Sequence, residues 1–301
     1  MSTRSIGILF GGVSSEHEVS CVSAASIVDN IDRDLFDIYP VGITADGRWL
    51  LTTGNTDEMR SGKWEKDPSC EPAVISPDRS VHGLYVSGRN PRTIRLDAVF
   101  PVLHGKNGED GTMQGLLDIS GIPYVGCGVL SSALCMDKIA EAIMLEASGI
   151  KHAEWAAVYP EDMDSGSSLV ERLEEKLGYP MFVKPANAGS SVGISKVHSR
   201  TELVPALELA FKYDCKAIAE KAVVGREFEA AAFGSGADVF VSDAAEIRPR
   251  NEFYDYESKY INASETVLPA EMSSELSEHL KKTAAAAYRA LGCRGMARVD
   301  F

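Results

Sequence analysis

Two short apolar runs that end in glycine-rich turns and pass straight into helix-forming sequence constrain this chain more than any other feature. IGILFGG at 6–12 is one; LDAVFPVL at 96–103, followed by HGKNGEDG, is the other. A strand that is apolar at almost every position must be covered on both faces. Strand–helix alternation around such runs predicts a parallel α/β sheet in the first third of the chain. Residues 36–44 (FDIYPVGIT) read as a further strand. Residues 45–92, rich in Gly, Pro, Asp and Ser, read as loops with short strands. Ser15 and Glu18 fit a capping box that opens the first helix, and another helix is expected from Thr112 to Ile119.

A second unit is expected to begin near Gly126. It contains a helix over 131–148 ended by Gly149, a Ser/Asp/Gly linker at 161–168, a short helix at 169–177 and strands at 180–186 and 191–197. The next helix carries Leu203, Leu207, Ala210 and Phe211 at helical spacing, and Pro205 fits it only in the first turn. A strand at 217–223 follows. A third unit starts near Gly225. There 228–234 and 239–249 read as an antiparallel pair joined by a Gly-Ser-Gly-Ala-Asp turn. A Tyr-rich segment at 251–266 has no period. Leu276, Leu280, Ala284, Ala287 and Leu291 then mark one face of a helix capped by Gly292, and GMARVDF reads as a buried strand. The fold class is therefore α/β, with α+β character in the C-terminal parts, divided into 1–126, 127–224 and 225–301. Because a domain rarely ends inside a buried strand, the natural protein is expected to continue for tens of residues past Phe301.

Composition narrows the partners. Forty-four acidic against 30 basic residues leave a net charge of −14, which repels phosphate backbones and excludes nucleic acid as the main partner. Small anions feel the local site and are not excluded. Six cysteines without a C-x-x-C pair argue against a zinc ribbon, and 301 residues can build a core without disulfides, so reduced thiols are expected. No signal peptide and no run of about 18 apolar residues is present, which leads to the expectation of a soluble, cytoplasmic protein.

Five segments carry chemistry. GGVSSE at 11–16 sits where a strand meets a helix N-terminus, a place for phosphate. It is neither G-x-G-x-x-G nor a P-loop, which disfavours a dehydrogenase. Glu16 and Glu18 would repel phosphate and suit an ammonium group; a tight turn with helix-capping acids is the plainer reading. In LHGKNGEDG, His104 leaves a strand end, where open α/β sheets hold ligands, although a lone histidine is often structural. FVKPANAGSSVGISK at 182–196 places Lys184 at the base of a small-residue loop with Ser190 and Ser191. Such a loop could fold over a triphosphate, or be an ordinary hairpin. Glu220, Lys221 and Glu227 fit either a hinge beside an adenine and ribose or a solvated charge cluster. Arg298 and Asp300 share one face of a strand, fitting a metal–phosphate site or an internal salt bridge.

Taken in order, these segments resemble the D-alanine–D-alanine ligases of the ATP-grasp superfamily. The resemblance covers essentially the whole chain and rests on GGVSSEHEVS, LHGKNGEDG, ALCMDK, VKPANAGSSVGISK, EKAVVGREFE, EIRPRNEFYDYESKY and GCRGMARVDF. It implies three domains, the first binding substrate, with ATP held between two antiparallel sheets. The implied reaction joins two D-alanines for peptidoglycan synthesis.

Residue by residue, the resemblance implies that Glu16 holds the first D-alanine by its ammonium. Ser190 and Tyr260 join Glu16 in a hydrogen-bonded triad, and His104 lies on the substrate side. Lys138 and Lys184 contact ATP phosphates, with Ser191 in the same loop. Glu220, Lys221, Val223 and Glu227 form the adenosine pocket, and Lys259 reaches the phosphates on closure. Arg298 stabilises the transition state and Asp300 binds magnesium, or manganese, as part of a two-ion site. A homodimer is expected, with no membrane partner. The family also draws a Glu and an Asn for metal from a segment after the strand with Asp300, and those residues do not occur within these 301. Two other readings stay open: a variant that uses D-lactate or D-serine as second substrate, and a non-catalytic nucleotide-binding remnant.

Overall fold

The computed structural model describes residues 3–88, 90–189, 192–248 and 265–301. The chain divides into two compact units, Met1–Ala133 and Leu134–Phe301.

In the first unit β1 (Arg4–Gly11) lies between β2 (Phe36–Ile43) and β7 (Ala98–Pro101), parallel to both. The sheet continues from β2 through β3 (Trp49–Leu51), β4 (Glu71–Ile75), β5 (Gly83–Val86) and β6 (Arg92–Arg95), all antiparallel to their neighbours. The apolar run of β1 has the expected cause. Ile8 and Phe10 pack with Cys21, Ala24, Ala25 and Val28 of α1 (His17–Asn30), while Leu9 belongs to the opposite core with Met113 and Leu117 of α3 (Thr112–Ser120). The segment 45–92 also holds α2 (Thr56–Arg60) and a short 3₁₀ turn at 63–66. Trp64 from that turn fills the space over Gly42, where any Cβ would collide with the indole.

One detail of this unit differs from expectation. α1 starts at His17, with Glu16 in the cap position and no side-chain cap. The loop is closed instead by Ser14, whose Oγ accepts from Glu16 N at 3.1 Å, so the Ser15–Glu18 capping box does not form.

The second unit contains two antiparallel sheets. The first has the order β10 (Ser195–Val197), β9 (Met181–Pro185), β11 (Ala217–Lys221), β8 (Trp155–Val158). Met181, Val183, Ala217 and Ala219 face α6 (Ser167–Leu177) and α7 (Arg200–Ala210) in one apolar core. The expected helix over 131–148 is two helices, α4 (Val129–Met136) and α5 (Lys138–Ala147). Asp137 breaks it: its carboxylate accepts from Ile139 N and Ala140 N at 3.1 and 3.2 Å, which restarts the helix as a new N-terminus. Pro205 lies in the second turn of α7, not the first; burial of Leu203, Ala206, Leu207 and Ala210 holds the helix around it.

The other sheet is built on β12 (Glu227–Ser235), with β16 (Arg294–Asp300) along one edge. The other edge carries β13 (Asp238–Val241) and β14 (Ala245–Arg248), and β15 (Glu265–Val267) follows β14. The expected strand at 239–249 is thus broken. Ser242 makes the corner, its N donating to Ala231 O at 2.9 Å and its Oγ accepting from Ala231 N at 3.0 Å. α8 (Ser274–Ala290) covers one face of this sheet. Leu276 proves 41% exposed, and Tyr288 takes the buried role, donating its OH to Gly234 O and Gly295 O. The six cysteines are free thiols. Among the described residues no helix is long and apolar enough to cross a membrane.

Candidate active site

The first unit gathers an acidic site at the C-terminal ends of β1 and β7. Glu16 is only 7% exposed. Its carboxylate lies so close over Gly105 that a Cβ there would collide with Oε2, and Gly105 also has φ +69°. The positive φ favours glycine here, and its missing Cβ leaves room for the carboxylate. Gly105 N donates to Glu109 Oε2 at 2.7 Å, which brings a second carboxylate to the loop. His104 follows β7; its Nε2 is 3.3 Å from Ser23 Oγ on α1, and its ring lines a cavity of about 230 Å³ with Gly12, Leu103 and Lys106. Glu109 was not foreseen. Its signal is the Gly-x₃-Glu spacing, which lets a carboxylate reach back to the turn's amide.

The second unit gathers the basic groups. Register puts Lys184 opposite Ile218 and Phe182 opposite Glu220, so these four side chains share one face of the β9–β11 ladder. Lys184 forms an ion pair with Glu220, and its ammonium lies 5.5 Å from the Phe182 ring centroid. α5 packs on this face through Ile139 and Ala142 against Ile218 and Ala186. Lys138 thereby arrives beside Lys184. Its ammonium donates to Ala188 O at 2.7 Å. Burial, with the charge of Lys184 adding to it, pushes Lys138 down to about 8. One turn further along α5, Glu141 is pushed up to about 7, first by burial, with Glu220 and Asp300 adding repulsion. Glu141 also went unforeseen, although i,i+3 spacing from Lys138 marks it.

Arg298 and Asp300 form a two-point ion pair on β16, Nε–Oδ1 at 2.8 Å and a guanidinium NH–Oδ2 at 3.0 Å. The strand is not buried as expected: the two side chains are 60% and 57% exposed. Asp300 stands opposite Glu229 in the β12–β16 register, and Glu229 Oε1 is 3.6 Å from Arg298 Nε.

The four residues expected around an adenosine divide. Glu220 joins Lys184, whereas Lys221 turns to the other face and pairs with exposed Glu154 at 3.0 Å. Val223 lies beyond β11 and is 74% exposed, and Glu227 opens β12 opposite Ile247. Ser190, Ser191, Lys259 and Tyr260 lie outside the described residues.

Comparison with known proteins shows the family of the chain. The family described as D-ala D-ala ligase N-terminus matches residues 5–127, and that described as D-ala D-ala ligase C-terminus matches 144–301. The chain belongs to the D-alanine–D-alanine ligase family. Among its relatives is a D-alanine–D-alanine ligase of Caldicellulosiruptor bescii, 49% identical over all of this chain and 82% of the relative. That of Acetivibrio thermocellus is 47% identical over 98% of this chain and 82% of its own. Among solved structures, the VanG D-Ala:D-Ser ligase from Enterococcus faecalis superposes with a TM-score of 0.89 at 40% identity, covering 99% of this chain and 86% of its own. The D-alanine–D-alanine ligase from Coxiella burnetii gives 0.85 at 32% identity, covering 100% and 81%. The paired antiparallel sheets of the second unit are therefore those of an ATP-grasp ligase.

A magnesium ion would need one or two carboxylates together with phosphate oxygens and water. Among the described residues no group of three His, Cys, Asp or Glu side chains could enclose an ion. Asp300, exposed and opposite Glu229 in the register, is a carboxylate of the kind such a site would draw on.

Proposed function

We propose that this ligase joins two D-alanine molecules at the expense of ATP, by way of an acyl phosphate, for peptidoglycan synthesis in the cytoplasm. The observation that carries this reading is the convergence of Lys138 and Lys184 on one face of the β9–β11 ladder. Two ammonium groups with apolar backing suit a triphosphate. One unit-charge contact at 4 Å is worth about 4 kcal/mol at an effective dielectric of 20. Glu220 holds Lys184 until nucleotide arrives, and with Lys221, Val223 and Glu227 it forms the proposed adenosine pocket. Glu16 takes the ammonium of the first D-alanine, with His104 beside it. Ser190, Ser191, Lys259 and Tyr260 keep the roles that the family resemblance implies. The active molecule is taken as a homodimer, with 1–126, 127–224 and 225–301 as its three domains.

The chemistry follows from charge. A carboxylate is a poor acylating agent, so one oxygen of the first D-alanine carboxylate attacks the γ-phosphorus and ADP leaves. Phosphoryl transfer asks chiefly for positioning and charge neutralisation. Lys138 and Lys184 supply both. Magnesium or manganese, in two ions with Asp300 as one ligand, would neutralise further phosphate charge. The amine of the second D-alanine then attacks the acyl carbon, loses a proton, and phosphate leaves. Arg298 stabilises the oxyanion.

A second reading, D-serine in place of the second D-alanine, is favoured by the likeness to a D-Ala:D-Ser ligase at 40% identity. The test is ADP release with ATP, magnesium and D-alanine, with and without D-serine, and product identification by mass. D-Alanine-dependent release with D-alanyl-D-alanine as product is expected. A mixed dipeptide as main product supports the second reading, and nucleotide binding without turnover supports a remnant. Glu16→Gln should raise the KM for D-alanine about tenfold while sparing that for ATP, with Lys184→Ala doing the reverse. Equal losses in both would refute the assignment.

A further inference from the structure

The turn between α7 and β11 holds the surroundings of Lys138 from two sides. Asp214 Oδ2 accepts from both Asn187 N at 2.7 Å and Asn187 Nδ2 at 3.0 Å, and its Oδ1 accepts from Cys215 N at 2.7 Å. Asn187 lies between the two residues whose carbonyls meet Lys138. The ammonium donates to Ala188 O at 2.7 Å and makes a longer 3.5 Å contact with Ala186 O. The peptide N of Lys138 also donates to Ala186 O, at 3.1 Å. Two residues after Asp214, Lys216 acts on the other side. Its ammonium pairs with Asp137, the cap of α5 that directly precedes Lys138, and its carbonyl accepts from Ala186 N at 3.0 Å. Tyr213 closes the same turn over Gly193, where a Cβ would fall 2.6 Å from the ring.

We propose that Asp214 and Lys216 are positioning residues for the phosphate-binding ammonium of Lys138. The stretch 186–189 consists of Ala, Asn, Ala and Gly, so it has almost no side chains of its own with which to hold a conformation. Asp214 supplies what it lacks. With the peptide and the side chain of Asn187 both fixed on one carboxylate oxygen, the flanking carbonyls are turned toward Lys138. An ammonium has three donors. The carbonyls engage at most two of them and leave at least one for an anionic oxygen. Lys216, through Asp137, fixes the start of α5 and so the Cα from which the lysine extends. The energetic sense is preorganisation: a flexible, half-buried lysine would lose rotamer freedom on binding phosphate, and here that freedom is removed beforehand.

The inference rests on the reading of Lys138 as a phosphate ligand, and a double-mutant cycle separates the two. Affinity for ADP is measured by calorimetry on the full chain for wild type, Asp214→Ala, Lys138→Ala and the double variant, with thermal midpoints alongside. Lys138→Ala should weaken ADP by about tenfold or more, the worth of one charge-assisted hydrogen bond. Asp214→Ala should weaken it about tenfold in wild type but less than about twofold once Lys138 is gone, because sites acting through one group are not additive. An equal loss in both backgrounds, or none in wild type, overturns the positioning role. An unchanged affinity in Lys138→Ala overturns the phosphate reading instead. Should Asp214→Ala not fold, Asn187→Ala, which removes only the side-chain donor, takes its place and must show the same dependence on Lys138.

Discussion

At the scale of single residues the site is governed by which charges are kept from water. Glu141 illustrates the consequence. Its carboxyl is pushed up to about 7, chiefly by burial, against an ordinary value of 4.5. Between those values the folded protein binds a proton that the unfolded chain has released, so this group's contribution to stability falls as pH rises from 4.5 to 7. Glu141→Gln removes that loss. The variant should match wild type at pH 5 and be more stable at pH 8. The gain should be about 2 kcal/mol, less than the full shift because the carboxyl keeps some contact with water. Denaturant melts of both proteins at the two pH values check this, and parallel curves would remove the burial argument. Motif reading singled out Lys184 at the base of a small-residue loop, whereas Lys138 came only from the family resemblance. Both passed over Glu141 and Asp214, whose importance lies in what stands opposite them and not in their neighbours along the chain.

Elements were legible wherever burial writes a period. β1, β2, α3 and α6 lie close to where the apolar pattern puts them, because each buries one stripe or both faces. The pattern failed where a polar side chain replaces a backbone partner. Asp137 splits one expected helix into α4 and α5 by capping the second, and Ser242 splits one expected strand by bonding Ala231 at the corner. Neither event changes hydropathy, so neither appears in a periodicity. Pro205 is the opposite case: a helix breaker tolerated in the second turn of α7 because the flanking leucines and alanines are buried. Since Pro205 itself is exposed, Pro205→Ala returns a backbone donor without disturbing the core. The expected result is a gain of about 1 kcal/mol, well below the full cost of an interior proline because alanine also frees the unfolded chain. Thermal melting of the variant measures it; a lower midpoint would mean that the local backbone is built for proline.

For the whole molecule, the division into Met1–Ala133 and Leu134–Phe301 assigns Glu16 and His104 to one unit and Lys138 and Lys184 to the other. ADP alone should therefore slow hydrogen exchange in α5, β9 and β11 and leave β1 and the start of α1 unchanged, as read by peptide-resolved mass spectrometry. Protection of β1 by ADP alone would contradict that assignment. The sequence by itself determined the order of strands and helices, the motifs that mark the family, and which residues of a strand share a face, since all of these follow from local spacing. Only the tertiary structure decided that Arg298 and Asp300 are exposed rather than buried, that Lys221 pairs with Glu154, and that a turn more than seventy residues downstream of Lys138 braces that lysine. The reason is physical. Periodicity states which way a side chain points, but the partner that satisfies a buried charge is chosen by pairing between segments far apart in the chain, and no local pattern encodes that choice.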